Sequence, residues 1–248
     1  FQLRLANKLI FSKWREALGG NIQAIASGGA ALQPRLARVF HAAKIPVLEG
    51  YGLTETSPVI AVNNFQPDSI KFGTVGTVLE NVEVKIDSDG EILCKGPNVM
   101  LGYYNSADLT AEVIDAEGWF HTGDIGVFEN GKFLKITDRK KEIFKTSGGK
   151  YIVPQMIENK LKESRFIEQA MVIGENQKFA SAFIVPNFAF IRDWATKKNI
   201  AVNSNVEIAA SSVIKKRIAE EVEVVNRTLG HYETIKRFEL LDHEFSIE

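Results

Sequence analysis

Apolar residues recur at three- and four-residue spacing from Phe1 to Leu18, at Leu3, Leu5, Ala6, Leu9, Ile10, Trp14 and Leu18. This pattern predicts one helix, which Gly19 ends. Ile22 to Ala26 then reads as a strand, SGGAAL (Ser27 to Leu32) as a glycine turn, and Pro34 to Ala43 as a helix opened by its proline. Pro46 to Leu48 is a second short, buried strand. Strand, helix and strand in that order predict a parallel pair with a right-handed crossover. Functional loops of such sheets follow the carboxyl ends of strands, where SGGAAL and EGYGLTET both fall.

From about Phe72 to Thr137 the pattern changes to short alternating strands, VEVKI, EILCKG, and GVFE paired with KFLKIT across the turn Asn130-Gly131. A small antiparallel sheet or barrel is expected there. After Asp138 the pattern changes again. A helix is predicted at Val153 to Leu161, strands at Gln169 to Ile173 and Ala180 to Val185 around the turn ENQK, and helices at about Phe188 to Lys198 and Val206 to Leu229. Ile214, Ile218, Val222, Val225 and Leu229 share one face of the last helix, a core stripe rather than a partner site. The terminal LLDHEFSIE reads as strand-like.

Composition sets outer limits. With 248 residues, 45% apolar and 25% charged, the chain suits one large or two ordinary folded domains. A formal net charge of -1 gives no global argument for nucleic acid or an anionic membrane surface. The single cysteine, Cys94, excludes an intramolecular disulfide, fits a reducing compartment, and reads as a small buried strand residue. No apolar run approaches the ~20 residues needed to span a bilayer. The chain starts at Phe1 rather than Met, and both ends read as cut points in a longer chain.

The richest stretch chemically is EGYGLTETSP, Glu49 to Pro58. Tyr51 can lie on a purine face, glycines such as Gly52 let backbone approach a ligand, Thr54 can donate to phosphate oxygens, and Glu55 is a hard oxygen ligand for magnesium. The same composition also suits a polar turn after a buried strand. In GWFHTGDIG, Asp124 sits between glycines at a strand bend, where its carboxylate could clasp both hydroxyls of a ribose or bond its own turn. His121 has no second histidine or cysteine at a metal spacing and reads as structural. In DRKKEIFKTSGGKYIVPQMIE, Arg139 can fork onto phosphate or ribose oxygens, and Lys145 precedes the flexible loop TSGG. Neither SGGK nor GTVGTV has the spacing of a nucleotide-binding glycine loop.

SGGAAL, EGYGLTETSP, GEILCKGPNVMLGYYN, GWFHTGDIG and DRKKEIFKTSGGKYIVPQMIE, in this order and separation, resemble the later core motifs of the AMP-forming acyl-CoA synthetase superfamily. FKTSGGKYIVPQMIE followed by FASAFIVPNF looks most like the long-chain fatty-acyl-CoA synthetases. The resemblance implies an α/β plus α+β fold. Residues 1–137 would form the end of a large N-terminal domain, with an α/β segment at 1–58 and an antiparallel, barrel-like subdomain at 59–137. Residues 138–248 would be a small mobile C-terminal domain, cut before its end.

It also implies roles. Gly28, Gly29 and Ala30 would line the adenine and acyl-carbonyl side of the pocket, and Tyr51 and Gly52 would contact the nucleotide, with Tyr51 stacked on adenine. Thr54 would touch phosphate, Glu55 would hold magnesium, Asp124 would bind the ribose hydroxyls, and Arg139 the ribose or phosphate. Asp138 matches the hinge between two half-reactions. Lys145, with Ser147, Gly148 and Gly149, would face coenzyme A. The implied cofactors are ATP/AMP, Mg2+ and coenzyme A, the substrate is a fatty acid, and no nucleic-acid partner is expected.

A cytoplasmic setting is expected, with peripheral membrane association of the parent left open. The family's phosphate loop and its far C-terminal lysine are not in this chain, so a part of the ligase, inactive alone, is expected. Two alternatives stay open: an adenylation domain that loads a carrier protein (or another adenylate-forming enzyme, such as a luciferase-like oxidase), or a non-catalytic nucleotide-binding protein of the same fold.

Overall fold

The structure, a computed structural model, describes residues 2–246; Phe1 and residues 247–248, the outer ends of two predicted elements, lie outside the described residues. The chain divides into two compact units between Thr137 and Asp138.

In the first unit the predicted opening helix is α1 (Gln2–Ala6), a π turn at Asn7–Phe11 and α2 (Ser12–Ala17). Backbone angles stay helical at both junctions, Ala6 and Ser12, so the rod is continuous but changes register midway. Gly19 and Gly20, at positive φ, return N–H groups to Glu16 and Arg15 and stop it. Leu3, Leu5, Leu9 and Ile10 remain exposed, while Trp14 packs its ring against Phe40.

Strand β1 (Ile25–Ser27) begins three residues later than the sequence pattern suggests, because Ile25, not Ile22, pairs with Val47. Helix α3 (Pro34–Ala42) leads to β2 (Val47–Gly52), which runs parallel to β1. β2 extends four residues past the predicted Leu48, since the glycines pair with β3 (Val59–Val62) instead of leaving as a loop. β4 (Thr77–Val78) completes the sheet in the order β1-β2-β3-β4.

The second sheet is an antiparallel series, β5 (Glu83–Ile86), β6 (Glu91–Lys95), β7 (Phe120–Glu129) and β8 (Phe133–Arg139). Helix α4 (Ala107–Val113) lies between β6 and β7. Asn130 and Gly131, with φ of 54° and 66°, form the predicted two-residue hairpin turn. Ile60, Ala61, Ile92, Cys94 and Leu134 form the core between the sheets, with Cys94 fully buried.

The second unit carries the hairpin β9 (Phe144–Lys145) and β10 (Tyr151–Ile152), then α5 (Pro154–Leu161). A three-stranded sheet has the order β11 (Ile167–Ile173), β12 (Ser181–Pro186) and β13 (Arg237–Leu240). β13 pairs parallel to β12 and starts before the predicted terminal run; residues from Asp242 onward form no strand among those described. Helix α6 (Phe188–Lys197) follows β12.

The long helix predicted from Val206 is two helices, α7 (Asn205–Ala210) and α8 (Ser212–Asn226). Ser211 is extended at ψ 118° and its hydroxyl accepts the Ile214 N–H, so a serine able to cap breaks what hydrophobic periodicity reads as continuous. The stripe Ile214, Ile218, Val222 and Val225 is buried in the unit's single large core, with Leu229 partly buried against it.

Replacing Ile218, fully buried, with alanine is expected to cost about 2 to 5 kcal/mol of unfolding free energy. Val224→Ala, on the exposed side of the same helix, should stay within about 0.5 kcal/mol. Chemical denaturation of both variants checks this, and equal losses would contradict the assigned face.

Candidate active site

Tyr51 lies on a strand hydrogen-bonded on both sides, and its ring packs against the inter-sheet core. Its hydroxyl donates to Asp124 Oδ2 at 2.7 Å. Burial first, then the Asp124 charge, raises the phenol far above its ordinary value, so it stays a protonated donor at any physiological pH. Two motifs separated by 73 positions are thereby joined side chain to side chain.

Asp124 is held by a bulge in β7. Glu91 pairs with Ile125 and Leu93 with His121, so four residues span what two cover on β6, and Gly123 takes φ 73°. Buried Glu91 fixes the bulge: Oε1 accepts the Gly123 N–H at 2.9 Å, and Oε2 lies 3.2 Å from His121 Nδ1. Thr122 Oγ1 donates to Ile92 O at 2.8 Å and accepts the Asp124 N–H at 3.1 Å. His121 is thereby linked to the carboxylate that holds the bulge.

Past Tyr51 the chain reverses tightly. A Cβ on Gly52 would lie 1.7 Å from the Pro58 carbonyl oxygen, so this glycine is required by the protein's own backbone, whatever it does for a ligand. Buried Thr56 closes the turn, its Oγ1 bonding Leu53 N and O and Pro58 O at 2.8–3.0 Å. The 3-10 turn Thr54–Thr56 so formed leaves Thr54 exposed and presents Glu55. Glu55 O accepts the Met100 N–H at 2.8 Å, and Glu55 Oε1 accepts the Tyr103 hydroxyl at 2.9 Å.

The loop carrying Gly28, Gly29 and Ala30 follows β1, and Gly28 abuts β2, a Cβ there lying 3.4 Å from Gly50 O. Gly29 takes φ 80°. Glu49, buried on β2, has its carboxyl raised above the ordinary 4.5 by desolvation, while the N–H groups of Gly73 and Leu32 pull it back. It thus ties the end of the 28–32 loop to the loop before β4.

The remaining candidates lie in the second unit. Asp138 is fully buried and its Oδ1 accepts the Arg139 N–H at 2.6 Å. Lys145 is exposed, its Nζ 5.4 Å from the centre of the Tyr151 ring. Thr146, buried, bonds Lys150 across the hairpin, and Ser147 N donates to Gln177 O at 2.9 Å, fixing the loop to the turn after β11. Ser147, Gly148 and Gly149 are exposed at the hairpin tip, and Gly149 takes φ 76°.

The structure thus brings together Tyr51 with Asp124, and Glu55 with Tyr103. Sequence reasoning gave no role to Glu49, Glu91, Thr56 or Tyr103. All four stand inside quoted motifs, Glu49 and Thr56 in EGYGLTETSP and Glu91 and Tyr103 in GEILCKGPNVMLGYYN, so their presence there was the available signal.

No cluster of three or more metal-binding side chains occurs among the described residues. Magnesium nevertheless fits Glu55, because it is commonly held by one or two carboxylates while waters and substrate phosphates complete its shell. Oε2 of Glu55 has no partner among the described residues, leaving that oxygen for an ion. No helix among the described residues is long and apolar enough to cross a membrane.

Residues 3–104 match the family profile of the AMP-binding enzymes, and residues 141–243 that of the AMP-binding enzyme C-terminal domain. The long-chain-fatty-acid–CoA ligase FadD15 of Mycobacterium bovis is 36% identical over 241 residues, covering 97% of this chain and 40% of that protein. Peroxisomal long chain acyl-CoA synthetase 7 of Arabidopsis thaliana is 34% identical over 260 residues, 98% of this chain and 37% of that one. O-succinylbenzoate coenzyme A synthetase from Bacillus subtilis, solved in complex with AMP, superposes with a TM-score of 0.69 at 26% identity, covering 94% of this chain and 46% of that one. The adenylation domain of a carboxylate reductase from Mycobacterium chelonae superposes at 0.73 with 23% identity over 98% and 37% of the two chains, a likeness of fold alone. The chain spans about two fifths of the length of the curated relatives it matches.

Two outcomes test the site's construction. In a double-mutant cycle of Tyr51→Phe and Asp124→Asn, the hydroxyl-to-carboxylate bond should give a coupling of about 1.5 to 3 kcal/mol in denaturant unfolding. Additive losses would mean that the contact carries nothing. For Glu49, whose folded value is raised, the protonated form is favoured in the native state. Stability is then full below 4.5 and falls as pH climbs from there through the raised folded value. Glu49→Gln should remove that component, so the wild-type-minus-variant difference should fall as pH rises above 4.5; a flat difference would refute the assignment.

Proposed function

We propose that this chain, which belongs to the AMP-binding enzymes, carries the adenylate-binding and thioester-forming groups of a long-chain fatty acid–CoA ligase (AMP-forming). The observation that carries the reading is the Tyr51–Asp124 bond. It fixes a half-buried aromatic ring and a carboxylate as one rigid wall beside the Gly28 loop, a suitable boundary for a nucleoside. Tyr51 would offer its ring to adenine, Asp124 would accept ribose hydroxyls, and Gly28, Gly29, Ala30 and Gly52 would complete the backbone lining. Thr54, exposed on its turn, would donate to phosphate, and Arg139 would add a fork of donors to ribose or phosphate oxygens.

The reaction proposed for the whole ligase runs in two steps. A fatty carboxylate oxygen attacks the α-phosphorus of ATP, forming acyl adenylate as the bond to pyrophosphate breaks. The thiol of coenzyme A then loses its proton and attacks the acyl carbonyl, forming the thioester as AMP leaves. Adenylation is needed because a free carboxylate would have to expel an oxide. Magnesium, held through Glu55, would offset charge on the phosphates. Thr54 would orient those phosphates through its hydroxyl, and Arg139 would offer its own donors to the nucleotide. Lys145 and the Ser147–Gly149 tip would serve the second step, with Asp138 as the hinge between the two arrangements. The curated relatives' names favour coenzyme A over a carrier protein as acceptor. The proposed setting is cytoplasmic, with peripheral association of the parent at a membrane.

The experiment uses the full-length ligase containing these residues, assayed separately for adenylation by pyrophosphate exchange and for palmitoyl-CoA synthesis. Asp124→Ala should raise the ATP requirement at least tenfold, roughly the loss of one charge-assisted hydrogen bond. Lys145→Ala should retain exchange while losing most thioester synthesis; its exposure makes it a cleaner probe than Gly149, where any side chain would also strain a positive φ. The present chain alone should make no acyl-CoA. Unchanged ATP dependence in Asp124→Ala, equal loss of both steps in Lys145→Ala, or turnover by this chain alone would each remove the corresponding part of the proposal.

A further inference from the structure

Glu55 is the one carboxylate read here as a metal ligand, and it stands on a turn of only three residues. A glutamate side chain has three rotatable bonds, and ordering it costs on the order of 1.5 to 2 kcal/mol. Something must hold it if metal binding is not to bear that cost. The loop after β6 grips Glu55 twice: Met100 N–H bonds its carbonyl at 2.8 Å, and the Tyr103 hydroxyl bonds Oε1 at 2.9 Å.

Tyr103 is itself fixed. Its N–H donates to Thr110 Oγ1 at 2.9 Å, Thr110 Oγ1 donates to Ser106 O at 2.9 Å, and Ser106 N–H returns to Tyr103 O at 3.2 Å. Gly102, at φ 149°, allows this approach, since a Cβ there would lie 3.0 Å from the Thr110 side chain. A small closed circuit on the N-terminal side of α4 therefore aims one phenol at one carboxylate oxygen.

We infer that Tyr103 is a positioning residue, whose hydroxyl holds Oε1 of Glu55 so that the remaining oxygen meets a divalent cation in a preset orientation. This rests on the function proposed above. A phenol suits the task because it donates without adding a positive charge that would repel the ion.

The test uses full-length ligase and compares wild type, Tyr103→Phe, Glu55→Gln and the double variant. Binding of Mn2+ in the presence of a non-hydrolysable ATP analogue is followed by electron paramagnetic resonance, alongside melting of the ligand-free proteins. Tyr103→Phe should weaken Mn2+ binding about tenfold and leave the ligand-free melting temperature within about 2 °C of wild type. In the Glu55→Gln background the same change should cost little further, because the tyrosine acts through Glu55. Thr110→Val, which removes the tyrosine's backbone anchor, should weaken Mn2+ binding in the same direction and by less.

Unchanged Mn2+ affinity in Tyr103→Phe, or an equal loss with and without Glu55, overturns the inference. A lowered melting temperature with proportionate loss of all binding would show a merely structural tyrosine and overturns it as well. Failure of the proposed function is distinguishable: wild type would then make no acyl-CoA and bind no nucleotide, and the inference would fall with it. An active wild type beside an Mn2+-insensitive Tyr103→Phe sinks the inference alone.

Discussion

Two backbone hydrogen bonds, Val75 N–H to Leu134 O and Leu134 N–H to Gly76 O, both 2.9 Å, fasten the two sheets of the first unit to each other. The exchange is possible only because Gly76 lacks a side chain; a Cβ there would lie 2.1 Å from Asn63 N, and φ is 85°. Buried Asn63 reinforces the junction, accepting Lys71 N–H and donating to Thr74 O at 2.7 Å. With the sheets fixed in this way, β2 faces the bulged part of β7, and the Tyr51 hydroxyl meets Asp124. The run GTVGTV, which has no dinucleotide spacing, thus serves the site indirectly, as the joint that sets the distance between its walls.

The same logic explains how much of the fold was legible. Hydrophobic runs located β5 to β8, most plainly β7, whose residues alternate between core and outside, while β6 is buried on both faces, and Asn130-Gly131 declared its turn through the positive φ that those residues tolerate. The stripe on α8 was equally plain, since four residues at helical spacing enter one core. Boundaries were lost where tertiary pairing overrode local signals. Gly50 and Gly52 look like loop residues, yet β3 supplies partners that keep them in a strand. Ser211 looks like a tolerated helix residue, yet its hydroxyl captures the Ile214 N–H and starts a new helix.

At the candidate site, the residues found by motif are those that would touch a ligand directly: Tyr51, Thr54, Glu55, Asp124. Those missed are the ones that hold them. Glu91 secures the bulge, Thr56 closes the turn, Glu49 ties two loops, and Tyr103 bonds Glu55. Thr56 acts locally, on Leu53 and Pro58, but the others depend on contacts between residues far apart in the chain, 32 positions for Glu91 with Gly123 and 48 for Tyr103 with Glu55, and no local pattern encodes those. A short motif reports chemistry because the ligand sets its composition; its supports answer only to the fold.

In the second unit the support is backbone rather than side chain. Ser147 N–H bonds Gln177 O and Asn176 N–H bonds Lys145 O, both 2.9 Å, so the hairpin is tied at two points to the turn joining β11 and β12. That turn belongs to strands whose inner faces enter the large core with α5 and α8. Lys145 is thereby exposed at its tip yet rigid at its base. Any rotation about Asp138 would carry the hairpin as part of a solid body, so its position would be set by the hinge angle and not by separate loop motion. Under the hinge proposed above, a swing would change a single coordinate for Lys145 while the local geometry around it stays fixed by these two bonds.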